Sequence, residues 1–189
     1  MEPKINTRLL KEIKEMFDAD QELRMLWGNA ELTKPLSQWG KNVRQSAKKT
    51  QKWGLASYLV YFVDAAHNPR IYRIIEKYGY PTQKLIGAKG MDYFWLLIQH
   101  QDYDIELQKK CLENCNFNKK NEAYLADRIL IHEGKKQTYG TQFERDTKNN
   151  RIVSQPIADK KNINQRRKKM GLQPLKDDLL FMNKKFYRK

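Results

Sequence analysis

The 189-residue chain carries 37 Lys and Arg against 22 Asp and Glu, a net charge of +15, with 40% hydrophobic and 31% charged residues. That balance excludes a disordered polymer, and a chain of this size buries a core without disulfide or metal staples. No apolar run approaches the ~18 residues of a membrane span, and no apolar segment of signal-peptide type opens the sequence, so neither a membrane partner nor export is expected.

The expected architecture is mainly α: a single-domain helical bundle over residues 1–189 with a small C-terminal β-hairpin. Ile5 to Trp27 reads as the first helix, with Leu9, Ile13, Met16, Leu23 and Trp27 on one face. Asp20 falls within that face and Arg24 follows one turn later, so a carboxylate and a guanidinium share a buried stripe, which is costly unless they pair or are used. Asn29 to Trp53 is polar and Lys-rich; it predicts a loop and then a weak helix around Trp39 to Lys52, and residues 29–66 read as a family-variable insertion. Leu55 to Val63 predicts a further helix. Asn68-Pro69 reads as the cap and first residue of the next one, which ends at Gly79. Gly87 and Gly90 bracket a predicted short loop.

Met91 to Gln99 is a helix whose Phe94, Trp95, Leu96, Leu97 and Ile98 cover every side, which predicts burial all round. His100, Asp102 and Asp104 sit in the break that follows. Asp104 is placed to cap the next helix, Ile105 to Cys115. Cys111 and Cys115, four apart on that helix, are expected as free thiols in a reducing cytoplasm. Asn121 to His132 is another helix, stopped by Gly134; Asp127 and Arg128 point ~100° apart on it, so each is expected to find its own partner. Gln137 to Gln155, with a turn at Lys148-Asn149-Asn150, predicts the hairpin. A helix capped by Asp159 or Asn162 ends at Gly171 and carries Arg166, Arg167, Lys168 and Lys169 in its last turns, where positive charge suits the helix dipole. Residues 184–189 read as a basic tail.

The polar motifs are similar to those of a bacterial family of unknown function. The resemblance rests on Gly79-x-Pro81, Leu85-x-Gly87, Trp95-Leu-Leu-Ile-Gln-His100-x-Asp102-x-Asp104, Gln108, Tyr124-Leu-x-Asp127-Arg128, Gly134-x-x-Gln137-x-Tyr139-Gly140-Thr141-Gln142, Pro156-Ile-x-Asp159, Arg166-Arg167 and Gly171-Leu-x-Pro174-Leu175, with Asp20, Gln21 and Arg24 in the first helix. It implies no known activity.

Were the polar residues to converge, they would suit an enzyme doing general acid/base hydrolysis or group transfer on a small polar or anionic substrate. His100 would be the base or acid, Asp102 or Asp127 would hold its tautomer, and Arg128 or Arg24 would stabilise developing negative charge. Asp20, Asp104, Gln108, Gln137, Tyr139 and Gln142 would bind the substrate through hydrogen bonds. No phosphate-binding Gly loop, nucleophile elbow or Cys–His pair is present. His100, Asp102 and Asp104, with Asp127, offer O and N donors to a divalent metal, but their spacing matches no ligand motif, so no metal is assigned and the cofactor is left unknown. The rival classes are a module that binds nucleic acid or another anion through its basic surface and a protein-interaction domain without catalysis. The basic charge is 26 Lys to 11 Arg, spread as doublets along the chain, and base readers lean on Arg. The sequence leaves the oligomeric state open.

Overall fold

Helix dominates because apolar residues recur at three- and four-residue intervals between capping side chains. The computed structural model describes residues 5–34 and 54–186, which cluster into two compact units, Met1–Gln101 and Asp102–Lys189.

In the first unit, helix α1 spans Thr7–Met25 and is opened by Asn6, whose side chain accepts a hydrogen bond from the Leu9 amide at 3.0 Å. Its buried stripe is Leu9, Ile13, Met16 and Asp20. A short turn of 3-10 helix, Leu26–Gly28, and helix α2, Ala30–Thr33, follow. The weak helix expected around Trp39 to Lys52 lies outside the described residues.

Helix α3, Leu55–Tyr78, is continuous where the sequence suggested a boundary at Asn68-Pro69. Proline removes one helical N–H and already has a helical φ, so a packed helix can run through it at the cost of one hydrogen bond. Burial of Val60, Asp64, His67, Ile71 and Ile74 on one stripe supplies the offsetting packing. Gly79, at φ 73°, ends the helix as expected.

Helix α4 spans Gln83–Gln99, beginning before the predicted Met91. The expected Gly87–Gly90 loop is instead a kink at Gly87 (φ 75°, ψ 166°) inside this helix, a conformation open to glycine. Gly90 is buried, and a Cβ there would come within 2.8 Å of Leu10 Cδ1, so α1 approaches α4 closely at this point. Phe94, Leu97 and Ile98 are buried, whereas Trp95 and Leu96 are partly exposed, so the helix is less enclosed than its composition suggested. Helix α1 packs against both α3 and α4, placing Asp20, Asp64 and His100 on three elements of one core.

In the second unit, α5 (Ile105–Asn114) is capped by Asp104, which accepts from the Leu107 amide at 3.0 Å. It packs on α6, Lys119–His132, which begins two residues earlier than predicted because Asn118 caps it. Cys111 and Cys115 are buried free thiols. Strands β1, Phe143–Asp146, and β2, Arg151–Ser154, pair antiparallel as the expected hairpin, with Glu144 opposite Val153. Helix α7 spans Ile163–Lys169, and Asn162 occupies its cap position without a side-chain cap bond.

A last helix, α8, runs over Leu175–Phe186, where the sequence suggested packing residues and then a tail; Lys184 and Lys185 belong to its final turn. Asn183 on α8 brackets Ile152 of β2, accepting its N–H at 2.9 Å and donating to its carbonyl at 3.0 Å, so helix side-chain bonds satisfy part of the strand backbone.

Arg167 holds this unit together. It is fully buried, donates to the carbonyls of Gln173 (2.6 Å), Tyr139 (2.8 Å) and Gly140 (3.1 Å), and pairs with Asp178 of α8. Arg167→Met should strand three carbonyls and a carboxylate and destabilise the protein by about 3–5 kcal/mol. Urea unfolding followed by circular dichroism checks this; a loss under about 1 kcal/mol would remove Arg167 as the tie.

Candidate functional site

Four charged or titratable side chains from three helices meet in the core of the first unit. Asp20 of α1 is fully buried. Its Oδ1 accepts from Arg24 Nε at 3.0 Å and its Oδ2 from Gln21 Nε2 at 2.7 Å. His100, at the end of α4, sets Nδ1 2.9 Å and 3.1 Å from the two Asp20 oxygens. One guanidinium nitrogen of Arg24 then reaches both oxygens of Asp64 on α3, at 2.7 and 2.9 Å. Gln101 is buried and donates to the Asp64 carbonyl at 3.2 Å, tying the end of α4 to α3.

His67 lies three residues after Asp64, on the same buried stripe of α3. It is 4% exposed, and its Nδ1 has no hydrogen-bond partner among the described residues.

The electrostatics follow from burial and pairing. Burial would push Asp20 upward, but the hydrogen bond and charge of His100, then Arg24 and Gln21, outweigh it and hold the carboxyl well below its usual range. At Asp64 burial wins: it raises the pKa strongly, Arg24 pulls it down by less, and the charge and hydrogen bond of Asp20 add to the rise. Two close carboxyls in a low-dielectric core cannot both ionise cheaply, so Asp64 is pushed well above the usual carboxyl range. Burial lowers His67 to about 4, opposed by the charge of Asp20 and helped by Arg70, Arg24 and His100.

Donor atoms of Asp20, Asp64 and His100 all lie within 4.8 Å of one another, close enough to share a metal ion. Arg24 sits on the same carboxylate oxygens, so a metal would have to displace a guanidinium held by three hydrogen bonds. The cluster already contains the cation that its carboxylates need.

The remaining residues singled out in the sequence take other positions. Asp102 receives Arg128 Nε and one terminal guanidinium nitrogen at 2.6 and 2.7 Å, with His132 Nε2 at 3.3 Å, on the surface of the second unit. Asp127 is fully buried and accepts from the amides of Thr138 (2.7 Å), Tyr139 (2.9 Å) and Thr141 (2.9 Å) and from the Thr141 hydroxyl (2.9 Å). Each thus has a separate partner, as the angle between Asp127 and Arg128 required. Gln137 closes the same loop: its amide donates to the carbonyls of Gln142 and Gln155, both at 2.9 Å, and its Oε1 accepts from the Gln142 amide at 2.9 Å. The Gln142 side chain donates to the Tyr124 carbonyl at 3.3 Å, and Tyr139 contributes backbone to the Asp127 nest and to Arg167. Gln108 is buried in α5. Arg166 is spent on the carbonyls of Thr138, Ala158 and Asp159 and on the Asp159 carboxylate, so neither arginine of the basic run is presented to an anion.

His100 therefore has Asp20 as its carboxylate, rather than Asp102 or Asp127. Asp64, His67 and Gln101 were not among the residues singled out. A carboxylate and an imidazole three apart in the apolar run Leu55–Ile75 were the available signal for the first two; helical spacing puts both on the face that carries Val60 and Ile71. A cavity of about 380 Å³ elsewhere in this unit is lined by Ile5, Leu10, Ile86, Tyr93, Lys14 and Lys89 among others, and by none of the Asp20 cluster.

Fold and site together define a mainly helical protein with a buried Asp–His–Asp–Arg centre. The chain belongs to the family of unknown function DUF6624, which it matches over residues 8–189. No curated protein and no solved structure matches it.

Two measurements test this description. Asp127→Asn keeps the size of the side chain but loses acceptor capacity for the loop amides; it should cost about 1–3 kcal/mol and speed hydrogen exchange at Thr138, Tyr139 and Thr141. Unchanged exchange there would show that Asp127 does not hold the loop. The second concerns His67, whose folded pKa is lowered from 6.5 to about 4. Between those values the unfolded chain binds the extra proton, so stability is present above pH 6.5 and falls as the pH drops toward 4, by up to about 3 kcal/mol. His67→Gln should flatten the fall in urea-derived stability over that window, and an identical slope in both proteins would refute the assignment.

Proposed function

We propose that the Asp20–His100–Asp64–Arg24 cluster is the reacting centre of an enzyme that performs hydrolysis or group transfer on a polar substrate by general acid/base catalysis. The observation that carries the reading is the hydrogen bond from His100 Nδ1 to a fully buried carboxylate. An Asp held in this way fixes the imidazole tautomer and supports the positive charge that His acquires when it takes a proton. His100 is then the base. Asp20 is a positioning residue acting through it. Asp64, pushed upward by burial and by the charge of Asp20, is the acid that returns a proton to a leaving group. Arg24 holds the two carboxyl groups in register and offsets negative charge as it develops.

A purely structural network would place such groups as pairs of fixed charge. Here burial and pairing push two neighbouring carboxyls in opposite directions, which supports separate acid and base roles. The experiment is a hydrolysis screen with chromogenic carboxylic esters, anilides, glycosides and phosphate esters, run on the wild-type chain, His100→Gln and Asp20→Asn. One substrate class should be turned over. His100→Gln should lower kcat at least 100-fold, Asp20→Asn should lower it and alter the acidic limb of the pH profile, and both variants should keep the wild-type circular dichroism spectrum. Full activity in folded His100→Gln, or no turnover of any class, would refute the reading.

A further inference from the structure

We propose that this centre receives an uncharged hydrogen-bonding group, an amide or a hydroxyl, and that His67 is the side chain that grips it; the proposal rests on the acid/base reading of the same site and names its substrate class.

The starting observation is a defect. Buried polar atoms are almost always satisfied, and leaving one without a partner costs about 1–3 kcal/mol. His67 Nδ1 is buried and unmatched among the described residues. Its position is not peripheral. It follows Asp64 by three residues on α3, and the charges that act on it are those of Asp20, Arg24, His100 and Arg70. The unmet hydrogen-bonding capacity of this core therefore lies beside the reacting groups.

Charge decides what can satisfy it. Arg24 is committed to both carboxyls through three hydrogen bonds, and Asp20 faces His100. An anion entering here would meet the Asp20 carboxylate and would have to take Arg24 from its partners. A cation would meet Arg24. The unmatched Nδ1 of a neutral imidazole is a donor in one tautomer and an acceptor in the other, so a group able to play either role satisfies it in both. An amide or a hydroxyl does both and brings no charge to desolvate. A site built to hydrogen-bond such a group also rejects analogues that lack it, because its own polar atom is then left unpaired.

The test compares acetamide with acetate, which have nearly the same shape and differ in charge. The full chain is labelled with 15N at histidine, and the ring nitrogens of His67 and His100 are followed at pH 7.5 and constant ionic strength. Acetamide should move the His67 ring nitrogens by more than about 2 ppm at saturation, acetate at the same concentration should leave them in place, and His67→Phe should abolish acetamide binding. Movement by acetate and not by acetamide overturns the proposal. If acetamide moves His100 but not His67, the centre binds substrate without His67: the proposal falls and the acid/base reading stands. If neither probe moves either histidine, the proposal also falls. Should His67→Phe not fold, the wild-type spectra decide alone, with His67→Gln, which keeps a donor and an acceptor, expected to bind within tenfold of the wild type.

Discussion

The Arg24 guanidinium is the constraint on which the first unit depends. Two carboxyl groups from different helices lie within its reach in a core where ionised groups are costly to desolvate. Removing the cation would leave one carboxylate uncompensated and force the other to hold its proton still more tightly. The same guanidinium spans α1 and α3, since Nε serves Asp20 and a terminal nitrogen serves Asp64. Packing of Leu9, Ile13 and Met16 brings the helices together without regard to register; a forked, planar donor with its partners set at fixed positions specifies it. His100 closes the arrangement from α4, so three helices are registered by one polar group.

The second unit meets the same problem differently. Asp127 is as deeply buried as Asp20, yet its partners are three backbone amides and a hydroxyl, and none of these can accept or release a proton at ordinary pH. Arg167, also fully buried, is answered mainly by carbonyls, with Asp178 as its carboxylate partner. These two side chains convert the irregular segment from Gln137 to Gln142 into a fixed shape by supplying the hydrogen bonds that a strand or helix would otherwise provide. The run Gln137-x-Tyr139-Gly140-Thr141-Gln142 is thus a structural signature: Gln137 replaces a strand partner, and Gly140 adopts φ 69°, which favours glycine.

What could be read from the sequence follows the range of the interaction. Helix caps and stops depend on residues a few positions apart, and Asn6, Asp104, Gly79 and Gly134 act as local chemistry requires. The Asp20–Arg24 pair was legible for the same reason, being one helical turn apart. Gly87 and Pro69 were misleading because packing overrode a local preference: a glycine that suits a loop also suits a kink, and a proline that suits a first turn is tolerated within a helix held by its neighbours. The pairing of Asp20 with His100, eighty residues apart, and of Arg24 with Asp64, forty apart, carries no local trace. The sequence suggested Asp102 or Asp127 as the partner of His100. Instead Asp102 lies under Arg128 and Asp127 holds the loop amides.

The contrast between the two buried aspartates separates architecture from chemistry. Asp127 is surrounded by backbone amides and a hydroxyl that it holds in place. Titratable neighbours surround Asp20 instead: His100 helps to lower its carboxyl, and its own charge helps to raise Asp64. Such coupling costs stability compared with apolar packing, and His67 adds an unmatched nitrogen beside it. A core that only had to fold would gain by replacing these groups with aliphatic side chains. The cost falls on the residues of one centre, while the equally buried charges of the second unit are fully used in holding a loop. That distribution makes the first unit the place to test for the proposed reaction.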